Sequence, residues 1–202
     1  MKKIILYFPT FLFFSFSFSV LFFTACSPRL TKETKKTAET TAKTASRTIV
    51  FPRDYIGDWE GTLMLHSPTK GQFQEVKMAL KIHPLKDSAG QYTFQLIYGD
   101  GGADNRPYRL VAVDSTKNHW LVDENDGIKL DGYFIDNTFI QLFSIEGVTL
   151  TCFDRLENGV IYHEIVSAKQ KPVRTSGGTS KDTPSVDSNP ILSVQKAFLR
   201  RK

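Results

Sequence analysis

Gly57-Asp58-Trp59-Glu60-Gly61-Thr62-Leu63-Met64-Leu65-His66 is the stretch that decides the fold. Read with a period of two, it puts Trp59, Gly61, Leu63 and Leu65 on one side and Asp58, Glu60, Thr62, Met64 and His66 on the other. Successive side chains of a strand point to opposite faces, so this is a strand with one face turned to a core. A helix would need apolar residues three and four apart. The same rule continues downstream. Val76, Met78, Leu80 and Ile82 alternate with Glu75, Lys77, Ala79 and Lys81, and after the turn Asp87-Ser88-Ala89-Gly90 come Tyr92, Phe94, Leu96 and Tyr98. A Gly-rich loop over residues 99–105 leads to a strand over 108–114.

The second half repeats the alternation between shorter turns. A strand over 119–122 meets the tight turn Asn125-Asp126-Gly127, and Ile128, Leu130, Gly132 and Phe134 follow on one face. Asp136-Asn137, Glu146-Gly147 and Glu157-Asn158-Gly159 then punctuate strands over 138–145, 148–155 and 160–167. No helical window interrupts residues 51–167. The expectation is an all-β domain over 51–168, an antiparallel up-and-down barrel of about eight to ten strands. Closure is favoured because an open meander of that length leaves two bare edges.

Gly57-Asp58-Trp59 resembles the Gly-x-Trp signature of lipocalins and their calycin relatives. That resemblance implies that Trp59 packs over the closed end of a barrel whose interior takes an apolar ligand. Trp59, Phe94, Tyr98, Phe134 and His163 are the candidate lumen residues. The same opening, Gly57-Asp58-Trp59-Glu60-Gly61, also resembles that of nitrobindin-like barrels, which bind haem. His163 shares a face with Ile161 and Ile165 late in the pattern, a position loosely similar to the iron ligand of that family. The plainer reading is a core histidine bonded to a neighbour or one facing outward, and no cofactor is expected.

The flanks have a different character. Lys2 and Lys3 precede an apolar run over residues 4–23, and Thr24-Ala25 stand before Cys26. Leu21-Phe22-Phe23-Thr24-Ala25-Cys26 resembles the lipobox of bacterial lipoproteins, with Phe23 where an aliphatic residue is usual. The resemblance implies a signal peptide over 1–25, removal before Cys26, and acylation of that cysteine. The alternative is an uncleaved anchor, since the run is about long enough to span a bilayer. Residues 26–50 read as a tether, rich in Thr, Lys and Ala and too poor in apolar residues to fold. The domain also resembles lipoproteins of the Bacteroidetes of unassigned activity. The location expected is the cell envelope, at the outer membrane, with the membrane reached through the lipid.

Charge is uneven under a formal net charge of +5. Residues 51–167 hold ten basic and seventeen acidic side chains, whereas 168–202 hold eight basic and two acidic. The pattern after Lys169 stops in Gly-, Ser- and Pro-rich sequence, so 169–202 are expected to be a disordered basic tail. An exported chain with such arms suits anionic lipid or polysaccharide, and nucleic acid is not expected as a partner.

No catalytic constellation is present. Asp123-Glu124-Asn125-Asp126-Gly127 with Asp131 supplies oxygen ligands, but an EF-hand counted from Asp123 needs Gly and Glu where Ile128 and Phe134 stand, so a solvated hairpin turn is the reading. No Gly-x-Ser-x-Gly elbow occurs. His66, His83 and His119 have no zinc spacing with His163. Cys152 lies on an alternating stretch and reads as a small buried hydrophobe. The chain is therefore expected to bind rather than catalyse: a small apolar ligand or an envelope partner, or alternatively nothing, as a structural module whose barrel its own side chains fill.

Overall fold

The structure, a computed structural model, describes residues 48–202. The expected signal peptide, Cys26 and most of the tether lie outside those residues. A short 3-10 turn, Arg53–Tyr55, leads into β1 (Gly57–Ser67), β2 (Gly71–Ile82) and β3 (Gln91–Tyr98). After them come β4 (Asp104–Asp114), β5 (His119–Asp123), β6 (Lys129–Ile135), β7 (Thr138–Ile145), β8 (Val148–Glu157) and β9 (Val160–Lys169). A small hairpin, β10 (Arg174–Gly177) and β11 (Ser185–Ser188), precedes β12 (Ile191–Arg201). Ten strands close a barrel in the order β1-β12-β9-β8-β7-β6-β5-β4-β3-β2, and β10 and β11 pair separately.

The all-β, antiparallel, closed architecture is the one the alternation predicts. One boundary needs correction. Residues 169–202 are not a disordered tail, because β12 pairs with β9 on one side and with β1 on the other. Within it, Ala197 and Leu199 are buried and lie opposite His163 and Ile161. Without β12 the first and ninth strands would both be edges, so the last strand supplies the closure. Its basic residues also meet acids of its neighbours. Lys196 lies 3.5 Å from Glu164, and Lys202 lies 3.0 Å from Glu60.

Alternate positions fill the barrel. Trp59, Leu63 and Leu65 of β1 are buried with Met78, Leu80 and Ile82 of β2, Phe94, Leu110, Trp120, Val122 and Phe139. Two glycines permit this packing. A Cβ on Gly132 would meet the Phe139 ring at 2.3 Å, and one on Gly61 would meet the Phe198 carbonyl at 2.4 Å. Turns sit where Asn, Asp and Gly predicted them, with left-handed residues at Asn125, Asn137, Glu146 and Asn158.

The up-and-down course gives the barrel two unlike ends. The turn Arg53–Tyr55 and the β2–β3, β4–β5, β6–β7 and β8–β9 connections lie at one end. The β1–β2, β3–β4, β5–β6 and β7–β8 connections and the β10–β11 hairpin lie at the other.

Candidate functional site

The first end is sealed by aromatic residues. Phe51 stacks on Phe139 at 4.7 Å and Phe134 at 5.2 Å, and meets Trp120 and Tyr55 edge-on. Tyr55 is fully buried. Its hydroxyl accepts from the Leu156 N–H at 2.9 Å and lies 2.7 Å from the Asn137 carbonyl and 2.9 Å from that of Asp154. Trp59, 1% exposed, donates its indole N–H to the Tyr55 carbonyl at 2.8 Å. Arg201 lies over its ring, 4.6 Å from the centroid, and donates to the Asp54 carbonyl. The residue that covers Trp59 was thus not assignable from sequence, because it sits at the end of the strand taken for a tail. Three candidate lumen residues, Trp59, Phe94 and Phe134, belong to this aromatic packing.

The second end is different in kind. Inward positions there include Leu96, Tyr98, Arg106, Tyr108, Glu124, Phe143, Ile165 and Gln195, and all keep part of their surface exposed. The polar members contact one another and their strand neighbours. Arg106 is gripped by Asp104 through Nη2 at 2.7 Å and Nε at 3.2 Å, and its guanidinium lies 5.0 Å from the centre of the Tyr98 ring. Desolvation disfavours its charge, but the Asp104 carboxylate outweighs that and holds its pKa above the ordinary value. Burial raises the pKa of Tyr98, with Asp154 and Cys152 adding to it. Burial likewise pushes Tyr108 to about 12, with Glu124 beside it, and raises Glu124 itself.

Deeper lies a carboxylate–imidazole pair. Asp154 on β8 and His163 on β9 are register partners, and His163 Nδ1 is 2.7 Å from Asp154 Oδ1. His163 is 4% exposed and Gln141, on β7 opposite Cys152, is 6% exposed. The Nε2 atoms of both have no hydrogen-bond partner among the described residues. His163 is thus an inward histidine bonded to a neighbour. A neutral imidazole that donates through Nδ1 to a carboxylate carries its lone pair on Nε2. Of the candidate lumen residues, the structure brings Tyr98 and His163 together with this polar system.

Sequence reading missed Asp154, Gln141, Arg106 and Tyr108, and placed Glu124 in a solvated turn. Parity was the available signal, since the first four fall on the inward registers of their strands and Glu124 continues that of β5 by one residue. The remaining histidines face out: His83 pairs with Asp58 at 2.6 Å, and His119 pairs with Asp131 at 2.7 Å while stacking on Tyr133. In the β5–β6 turn, Asp123 and Asp126 accept from the backbone N–H groups of Asn125 and Ile128. No group of three His, Cys, Asp or Glu is placed to hold a metal ion among the described residues. Burial pushes the Cys152 thiol up to about 12, and Ser167 is engaged with Ser193 at 2.7 Å.

No protein-family model matches the chain, and no curated protein matches it in sequence. The closed ten-stranded antiparallel barrel is compatible with the lipocalin-like fold that Gly57-Asp58-Trp59 resembles.

Proposed function

We propose that this protein is a binding protein of the cell envelope, acylated at Cys26 and held at the outer membrane, whose barrel takes a small, largely apolar ligand through its open end. Binding rather than catalysis is its role. The observation that carries the reading is the ring of half-buried inward side chains at that end, from Leu96 and Tyr98 round to Phe143, Ile165 and Gln195. Small barrels hold one ligand where their own side chains leave the interior accessible. The apolar members offer dispersion and hydrophobic contact, and the polar groups beneath fix orientation. Support for the anchor is the apolar run ending at Thr24-Ala25-Cys26.

The packed sealed end favours a second reading, a structural module without ligand. Native mass spectrometry of the full chain, extracted from its own membrane, separates the two. A non-covalent small molecule should leave the wild type on activation and be absent from Ile165→Trp, which fills the open half. Identical spectra for both proteins would favour the module. Cys26→Ser should abolish lipid labelling and release the chain from the membrane fraction; retention at the same mature mass refutes the anchor.

A further inference from the structure

We propose that the open half of the barrel selects a ligand bearing a protonated amine on an apolar body. The inference rests on the reading of this half as a ligand-binding cup, and it is carried by an imbalance of charge and of hydrogen-bonding capacity.

Three carboxylates serve this space: Asp104 on the inward register of β4 and half-buried Glu124, one residue past β5, near the rim, and Asp154 on the inward register of β8 at its floor. Among the described residues Arg106 is the one inward guanidinium of the open half, and the lysine on an inward register there, Lys169, is exposed at the mouth where β9 ends. Arg106 is already committed, since both Asp104 oxygens lie within 3.2 Å of its nitrogens. Below that mouth a carboxylate ligand would meet no further cation and two further carboxylates, Glu124 and Asp154. In a site of low dielectric that repulsion is strong. A cation meets the reverse.

The buried pair gives an independent indication. With Nδ1 committed to Asp154, the Nδ1–H tautomer of His163 presents Nε2 as an acceptor, and that atom is unpartnered in a side chain 4% exposed. Gln141 adds an amide whose two ends exchange by a flip, so it too can face a donor. An ammonium has three donors and no acceptor. Glu124 is consistent with this, because burial raises its pKa despite the Tyr108 hydroxyl and the Arg106 guanidinium, which act the other way. The half-buried Leu96, Phe143 and Ile165 then suit an alkyl or aryl body.

The test is calorimetric titration of the full chain, in one nonionic detergent, with octylamine, octanoate and 1-octanol. These probes share a chain and differ in the head group. Octylamine should bind at least tenfold more tightly than octanoate, with octanol between them. Asp154→Asn should remove most of that preference. Since Asp154 is buried and its replacement also perturbs folding, the rim variant Glu124→Gln carries the same test, with a severalfold loss of preference expected. Equal or tighter binding of octanoate overturns the amine assignment and leaves the cup standing. Absence of binding by all three probes overturns the cup and the amine assignment together. An undiminished preference in both variants overturns the assignment of the carboxylates.

Discussion

Leu199→Ala tests whether the last strand is part of the wall. Leu199 is fully buried, lies opposite Ile161 on β9, and its Cδ2 would be 3.1 Å from a Cβ built on Gly61. Replacing a buried leucine by alanine costs about 2–5 kcal/mol, and the high end applies where neighbours cannot collapse. Gly61 and Ile161 sit on strands fixed by ladders on both sides, so little collapse is available. Domain stability is on the order of 5–15 kcal/mol, so the loss is a large share of it. With a urea slope of about 2 kcal/mol/M, the midpoint should fall by about 1–2.5 M. The assay is urea unfolding of the full chain followed by tryptophan fluorescence, because the two tryptophans, Trp59 and Trp120, are both buried in the sealed half. Phe198→Ala is the matched control. Phe198 is 49% exposed and meets Tyr162 edge-on, so it should cost about 0.5–1.5 kcal/mol. A Leu199→Ala midpoint within about 0.3 M of wild type would refute the assignment, since only an exposed site is that tolerant.

Three further outcomes are expected. Tyr55→Phe should cost about 1–3 kcal/mol in the same melt, because it strands the Leu156 N–H and nearby carbonyls in the core. Asp58 has its pKa lowered, chiefly by the hydrogen bond from His83, so its contribution is present above the ordinary carboxylate range and lost as pH falls through the folded-state value. The difference in urea midpoint between wild type and Asp58→Asn should accordingly shrink between pH 7 and pH 3, and a constant difference contradicts the pairing. Cys152, its thiol raised to about 12 by burial, should resist iodoacetamide at pH 8 in the folded chain and react in urea, as read by peptide mapping. Rapid native labelling at Cys152 contradicts the packing.

Nine of the ten barrel strands were legible because their core faces alternate cleanly, as in Trp59, Leu63 and Leu65 against Asp58, Glu60 and Thr62. β12 was not. Its inward side carries Gln195, Ala197, Leu199 and Arg201, while Val194 and Phe198 face out, so neither parity reads as apolar. A hydrophilic hairpin also separates it from β9. The charge contrast between residues 51–167 and 168–202 is met in part within the barrel, as Lys196 with Glu164 and Lys202 with Glu60 demonstrate. At the candidate site, the inward orientation of His163 followed from its register with Ile161 and Ile165. Its partner Asp154 did not, because a carboxylate in an acidic domain is first assigned to solvent. Arg106 and Glu124 were hidden for the same reason. Polar side chains inside a barrel follow the same period as the core but contradict the hydrophobic code that reveals it.

The pairing of β12 with both β9 and β1 also sets the timing of assembly. Glu60 and Lys202, which meet across that seam, are 142 positions apart. During translation β1 to β9 can lie down in order, each on its predecessor, using contacts close in the chain. The wall itself cannot shut until Ile191–Arg201 has been synthesised and has passed the β10–β11 excursion. Through that interval β1 and β9 are bare edges with unpaired backbone groups, the condition under which nascent sheets recruit one another. A chain arrested or clipped just short of its twelfth strand is therefore not a slightly smaller barrel but an open, adhesive sheet.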